Sequence, residues 1–174
     1  QGVLKKDDNI EILPGKIEDE HGRKKWTAIE TKITGLMSGK EKIDEAFPGG
    51  SIAVATSLDP SIVKSDTLSG NVIGLKGKMP PVWQNLKLKA KLLERVVGTK
   101  EELDVDPIKM NEVLMLNVNS SVTAGFVVEL HKEEFVVKLK LPVCAEIGQR
   151  VTISRMVGSR FRLIGYGTIQ EQKN

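Results

Sequence analysis

One cysteine, Cys144, is all this sequence contains, which excludes an internal disulfide and any cysteine-based zinc cluster. It sits in the apolar run Leu141-Pro-Val-Cys-Ala, where a lone thiol reads as a small core residue. Histidine is nearly as scarce. His21 and His131 lie in charged, turn-like settings with no metal-ligand partner at helical or strand spacing, so no metal site is expected. Aromatic residues make up 4% of the chain, too few to build the base-stacking platform of an RNA-recognition sheet. No apolar run approaches the roughly 20 residues that cross a bilayer. The start, Gln1 to Asp8, is polar with no apolar stretch behind it, so neither a signal peptide nor a membrane role is expected, and the chain reads as cytoplasmic.

The marks of catalysis are missing as well. A nucleotide-hydrolysing chain needs Gly-x-x-x-x-Gly-Lys-Ser/Thr, whose backbone amides cradle phosphates. The nearest approach, Gly35-Leu-Met-Ser-Gly39-Lys40-Glu41, is one residue short, lacks the magnesium-binding hydroxyl and sits in a β context. There is no Gly-x-Ser-x-Gly elbow, and the acid pairs Asp7-Asp8 and Glu133-Glu134 fall at turns, where solvated surface is the simplest reading. No catalytic residue is expected.

What the sequence has in abundance is alternation. Asn9-Ile-Glu-Ile-Leu, the stretch from Thr27 to Leu36, that from Leu86 to Leu93, Phe135-Val-Val-Lys-Leu-Lys-Leu and Arg150-Val-Thr-Ile-Ser-Arg all place apolar residues at period two. That is the pattern of strands with one buried and one wet face. Turn residues punctuate them at Pro14-Gly15, His21-Gly22, Pro48-Gly49-Gly50, Gly74 to Gly77 and Ile147-Gly148. Short helices are expected only at Lys40 to Ala46, Asp59 to Lys64 and Thr99 to Leu103. The apolar stretches Val113-Leu-Met-Leu and Gly125-Phe-Val-Val read as core. The fold class is all-β, an antiparallel sandwich or barrel architecture. Gly74-Leu-Lys-Gly-Lys-Met-Pro-Pro interrupts the pattern with flexible glycines and two prolines that give no ladder donors. The expected domains are therefore 1–75 and 82–174, joined by a linker at 76–81. Gln1 to Lys5 already reads as a strand, so the first domain is expected to lack an N-terminal strand. The net charge of +3 permits contact with nucleic acid without requiring it.

Three stretches carry a resemblance. They are Phe47-Pro-Gly-Gly-Ser-Ile through Leu68-Ser-Gly-Asn-Val-Ile; Pro80-Pro-Val-Trp with Leu92-Leu-Glu-Arg-Val-Val-Gly-Thr-Lys-Glu-Glu-Leu; and Ile153-Ser-Arg-Met-Val-Gly-Ser-Arg-Phe-Arg-Leu-Ile-Gly-Tyr-Gly. Together they resemble the gamma subunit of archaeal and eukaryotic translation initiation factor 2, from residue 1 to about 170. The resemblance implies two antiparallel β-barrels of the elongation factor Tu domain II and III type. It also implies a parent GTPase whose GTP and magnesium are bound in an N-terminal domain absent from this sequence. The family's heterotrimer, with alpha and beta subunits, delivers initiator methionyl-tRNA to the small ribosomal subunit; neither DNA nor a membrane is an expected partner. Two other readings stand beside it: the barrels of another tRNA-delivering factor, for elongation or selenocysteine, and a free-standing β-barrel interaction protein that never touches RNA.

The same resemblance marks candidate residues. Glu45, before the turn Ala46-Phe-Pro-Gly-Gly, matches the place where Tu-like proteins hold the terminal adenosine of tRNA, with Asp44 an equal competitor. A carboxylate there accepts a ribose hydroxyl. Gly49 allows close backbone approach or simply makes the turn. Lys64 matches a basic position near the tRNA 5′ end, or is one exposed lysine among many. Arg155, Arg160 and Arg162 form the best basic patch with Arg150; Arg160 and Arg162, two apart on a strand, share a face. They read either as tRNA-binding or as a structural cluster pairing with acids on the neighbouring domain. Lys16, Arg23, Lys24, Lys25 and Trp26 lie in a polar hairpin loop expected to dock the alpha subunit. Trp83 is expected to pack between the barrels.

Overall fold

Alternation at period two yields strands almost throughout the computed structural model, which describes residues 2–21, 23–98 and 103–171; the side chains of Glu20, Arg23 and Lys24 lie outside that description. In chain order the strands are β1 (Leu4–Lys5), β2 (Asn9–Glu20), β3 (Arg23–Ser38), β4 (Glu41–Ile43), β5 (Glu45–Ala46), β6 (Ala53–Thr56), β7 (Val72–Leu75), β8 (Val82–Leu92), β9 (Val113–Val118), β10 (Ser121–Leu130), β11 (Glu134–Cys144), β12 (Arg150–Val157) and β13 (Arg160–Ile169), with one 3-10 turn at Lys64–Asp66. The chain divides into two units at Met79/Pro80.

Unit 1 is built on β3. Its first half pairs with β2, while its second half holds β4 and β6, giving the order β4-β3-β2-β7 with β6 on β3 and a separate β1-β5 ribbon. Ile10, Ile33, Leu36 and Ala46 form the buried cluster, with Leu4, Ile43, Ile52 and Val54 against it. Backbone bonds from Asp7 N–H to the Ile33 carbonyl (2.9 Å) and from Ile33 N–H to the Asp8 carbonyl (3.0 Å) stitch the β1 end to β3.

Unit 2 is a closed antiparallel barrel in the order β10-β11-β8-β13-β12-β9. Leu86, Leu88, Leu114, Leu116, Val137, Ile153 and Ile164 fill its interior at 0% exposure. Closure leaves no unpaired edge. Gly165 and Gly167 let strands approach closely: a Cβ on Gly165 would stand 2.5 Å from the Lys91 carbonyl oxygen. The Trp83 indole donates to the Ala145 carbonyl (2.8 Å) and packs on this barrel's own core. That bond lies within unit 2, its partner standing 62 residues downstream. Cys144 is buried as expected.

Local structure departs from expectation at several points. Pro14-Gly15 does not end a strand; it forms a bulge inside β2, where pairing with β3 shifts register between Ile12 and Lys16. Gly15 holds φ +94, and a Cβ there would collide with the Thr27 carbonyl. Lys40 to Ala46, read as helix, forms β4 and β5, because hairpin pairing of Met37 with Lys42 and Leu36 with Ile43 overrides local propensity. Asp59 to Lys64 is turn leading into the 3-10 turn at Lys64–Asp66. The expected helix at Thr99 to Leu103 falls largely outside the described residues.

Candidate functional site

Lys16 to Trp26, read as a polar loop, is two paired strands meeting at His21. Lys16 stands opposite Thr27, Ile17 opposite Trp26, Glu18 opposite Lys25, Asp19 opposite Lys24 and Glu20 opposite Arg23. The basic residues on β3 thus face an acidic run on β2. Glu18 takes an ion pair from Lys16 (2.9 Å) and the Thr27 hydroxyl (2.9 Å), which together hold its carboxyl below the usual range. The side chains of Arg23 and Lys24 fall outside the described residues. Trp26 is half-buried beside Ile17, which is 47% exposed. This pair gives the hairpin an apolar spot framed by charge of both signs, a form suited to a protein partner.

Glu45 is exposed on β5 and paired across the ribbon with Lys5, Nζ to Oε1 2.5 Å. The Glu45 carboxylate raises the Lys5 pKa through that bond. Gly49 lies four residues on, in the exposed turn, with φ +119 and open space where a Cβ would stand. This is a backbone conformation that favours glycine. Lys64 opens the 3-10 turn, exposed, and makes no ion pair with another described residue. The turn following it holds Ser65 and Asp66 at φ 60 and φ 56, with the Thr67 hydroxyl donating to the carbonyls of Lys64 and Ile62.

The arginines near the end separate into two kinds. Arg155 on β12 stands opposite Arg162 on β13, and Arg160 starts the same strand opposite Val157, so all three share one side of the hairpin. That side points toward the connection between β8 and β9. Arg155 is drawn into it: Nε and Nη2 hold both carboxylate oxygens of Glu112, while Nη1 and Nη2 donate to the carbonyls of Asp106 (2.8 Å) and Pro107 (3.0 Å). Its side chain is 17% exposed and that of Glu112 14%. A bidentate pair with two further carbonyl acceptors uses the guanidinium fork fully. Arg162 lies against Gly98, with its Nε buried. Arg160 alone of the three is exposed, beside the Gly158-Ser159 turn. Arg150 stacks 4.5 Å over the Tyr166 ring.

Glu112 was invisible to sequence reading. It lies 43 residues from Arg155 and its neighbourhood shows no charge pattern; only the fold joins them. Two of the stretches that carried the family resemblance also meet here. Leu93 N–H donates to the Ile164 carbonyl (2.8 Å) and Val97 N–H to the Leu163 carbonyl (3.2 Å), so they form one structural piece.

The Gly35 to Lys40 segment does not fit a nucleotide phosphate. Gly35 is a ladder residue opposite Ala55, Gly39 and Lys40 make the β3–β4 turn, and a strand follows where a phosphate loop needs a helix. Among the described residues no cluster of three or more His, Cys, Asp or Glu has metal-binding geometry. No helix there is long and apolar enough to cross a membrane.

The fold is that of the barrel region of translation factors. Two structures of translation elongation factor SelB from Methanococcus maripaludis, one with the GTP analogue GppNHp and one apo, match 99% of this chain and 38% of theirs, with TM-scores of 0.69 and 0.68 at 19% and 20% identity. The family described as "Initiation factor eIF2 gamma, C terminal" matches residues 84–169. Along 98% of its length the chain is 54% identical to translation initiation factor 2 subunit gamma of Pyrococcus furiosus, 56% to that of Pyrococcus abyssi and 51% to that of Methanocaldococcus jannaschii. The chain belongs to the gamma-subunit family of translation initiation factor 2. It spans 42% of the length of the Pyrococcus relatives and 41% of the Methanocaldococcus one.

Proposed function

We propose that this chain is the tRNA- and subunit-binding part of an initiation factor 2 gamma subunit. In this reading the parent is a cytoplasmic GTPase that works with alpha and beta subunits to deliver initiator methionyl-tRNA to the small ribosomal subunit. The observation that carries it is the identity of 51–56% across 97–98% of the chain to gamma subunits. That continuity favours initiation over elongation or selenocysteine delivery, whose SelB structures share the fold at 19–20% identity. GTP and magnesium would be held outside these 174 residues, and the chain itself would carry out no catalysis.

Within this function the residues divide by availability. Lys64 and Arg160 are exposed cations ready for phosphate. Glu45 and Gly49 form a turn where a carboxylate and an open backbone meet an RNA end, with Lys5 neutralising Glu45 until ribose takes its place. Arg155 and Arg162 act indirectly, by fixing the connection between β8 and β9. The β2–β3 hairpin, with Trp26 and Ile17 at its centre and Lys16, Arg23, Lys24 and Lys25 around it, receives the alpha subunit.

The test is calorimetric titration of this chain with the C-terminal domain of an initiation factor 2 alpha subunit. One-to-one binding is expected, weakened at least tenfold by Trp26→Ala. Absence of binding to the folded chain would sink the docking reading.

A further inference from the structure

Consecutive residues of a strand point to opposite faces, so every strand leaves an outward row to account for. In unit 2 this turns Val113 and Phe126, expected in the core, outward at 52% and 46% exposure. A run of consecutive apolar residues does not reveal which of them face in. In unit 1 the outward row across β3, β2 and β7 is Glu30, Glu11 and Gly74, each paired with the next. Ile10, Ile12 and Ile29, which flank this row along β2 and β3, are buried. Two carboxylates directly opposite one another destabilise a ladder unless something neutralises them.

The chain leaving β7 supplies what this row needs. Gly77, at φ +76, reverses it, and the residues around that turn land on the row one after another. The Lys76 ammonium donates to Glu30 (2.6 Å). Its pKa is raised, chiefly through that bond, with the Glu11 charge adding to it. Gly77 N–H donates to Glu11 Oε1 (3.0 Å). The Met79 sulfur lies over Gly74, in the space a Cβ would need. Backbone bonds from Lys76 N–H to the Asn9 carbonyl (3.2 Å) and from Lys78 N–H to the Leu75 carbonyl (3.0 Å) complete the hold. Beyond the Met79/Pro80 boundary, the Cys144 thiol donates to the Pro80 carbonyl (3.3 Å) and Ala145 N–H to the Pro81 carbonyl (3.2 Å). Val82 then enters β8 opposite Cys144. Residues 76–79 are thus anchored by unit 1, and residues 80 and 81 by unit 2. The unit 1 anchor is exposed, with the Lys76 side chain 57% and that of Glu30 55% accessible. Exposed ion pairs contribute little each, so this hold can open without unfolding the unit.

We propose that the segment Lys76 to Met79, folded back on Glu30, Glu11 and Gly74, is a latch that gives the connection between the two units two lengths. Latched, the free chain is the Met79–Pro80 junction alone, where proline fixes its own φ and restricts the residue before it. Released, the four residues add about 13 Å of reach. This device is independent of the RNA-binding reading and of the β2–β3 hairpin.

Trypsin reads the latch, because the bond after Lys78 is cut only when the segment is out of its fold-back, at a rate that follows the open population. Lys76→Met removes the ammonium and leaves Lys78 as the cleavage site. Gly74→Ala fills the seat of the Met79 sulfur, in a strand where alanine would otherwise be favourable. Each is expected to speed release of the fragment beginning at Met79 by about three- to fivefold, with the melting temperature in place. In the isotope-labelled chain, the heteronuclear NOE of the Gly77, Lys78 and Met79 amides should match that of β2, and in both variants it should fall. Unchanged cleavage and unchanged amide order in both variants overturn the proposal, as do loop-like amides at 77–79 in the unaltered chain. So does equal loosening of the β7 amides in Lys76→Met, because the strand rather than the latch would then have given way.

Discussion

Arginine at three neighbouring positions does three different jobs, and burial decides which. Arg155 is held by Glu112 and two carbonyls, Arg162 is wedged against Gly98, and Arg160 stands in solvent. Removing one partner of a buried ion pair leaves the other charged group without compensation, at a cost of about 3–5 kcal/mol. Arg155→Ala is therefore expected to destabilise unit 2 by about 3 kcal/mol in urea unfolding, because Glu112 and the Asp106 and Pro107 carbonyls all lose their donor. Arg155→Lys should recover little, since an ammonium cannot reproduce the fork. Arg160→Ala is expected to leave stability within about 0.5 kcal/mol of the parent. If Arg160 contacts phosphate, the same change weakens tRNA binding and shallows its salt dependence by about one unit of slope. Filter binding across a salt series reads both, and a stable Arg160→Ala chain with unaltered tRNA affinity would remove Arg160 from the interface.

At the scale of elements, surface ion pairs tie strands together and set the acid response. Lys32 beside Asp7 and Lys87 beside Glu134 hold those carboxyls below their usual range, chiefly through direct hydrogen bonds. A carboxyl lowered in the folded state contributes stability above its unfolded pKa and loses it as pH falls through the folded value. Stability should therefore fall as pH drops from about 5 toward 2. A Lys32→Met/Lys87→Met variant should show a shallower fall over that window, read from urea midpoints; an identical slope would mean the pairs also persist in the unfolded chain. These pairings explain what sequence could and could not convey. Period-two alternation made β2, β3, β8, β11 and β12 legible, because each buries one face. Lys40 to Ala46 was not legible, since its strand character comes from β3, and Pro14-Gly15 hides a bulge because a bulge and a turn use the same residues. Gly15→Ala tests the bulge. With φ +94 and the Thr27 carbonyl in the way, it should destabilise unit 1 by more than about 1 kcal/mol, whereas Ala at a turn glycine with open space, Gly50, should cost far less.

Among the described residues the buried apolar side chains form two clusters of unequal depth, one in each unit. The cluster in unit 2 holds Leu86, Leu88, Leu114, Leu116, Phe135, Val137, Ile153 and Ile164 among others, all from residues after Met79. The cluster in unit 1 has four buried members, Ile10, Ile33, Leu36 and Ala46. The first is a closed barrel and the second an open sheet with a short ribbon, so unit 2 should resist unfolding to higher denaturant. Amide exchange is the measurement, since it reads each unit by its own residues. Leu116, at 0% exposure, lies in the barrel centre, and Leu116→Ala should cost about 2–5 kcal/mol from lost burial and the cavity left behind. The slowest amides of β9, β10 and β12 should accelerate together by at least tenfold, while those of β2 and β3 keep their rates. Ile33→Ala should do the reverse. If Leu116→Ala quickened β2 and β3 equally, the two cores would be one cooperative unit, and Arg160 in unit 2 would have to be read as coupled to the tRNA- and subunit-facing residues proposed in unit 1.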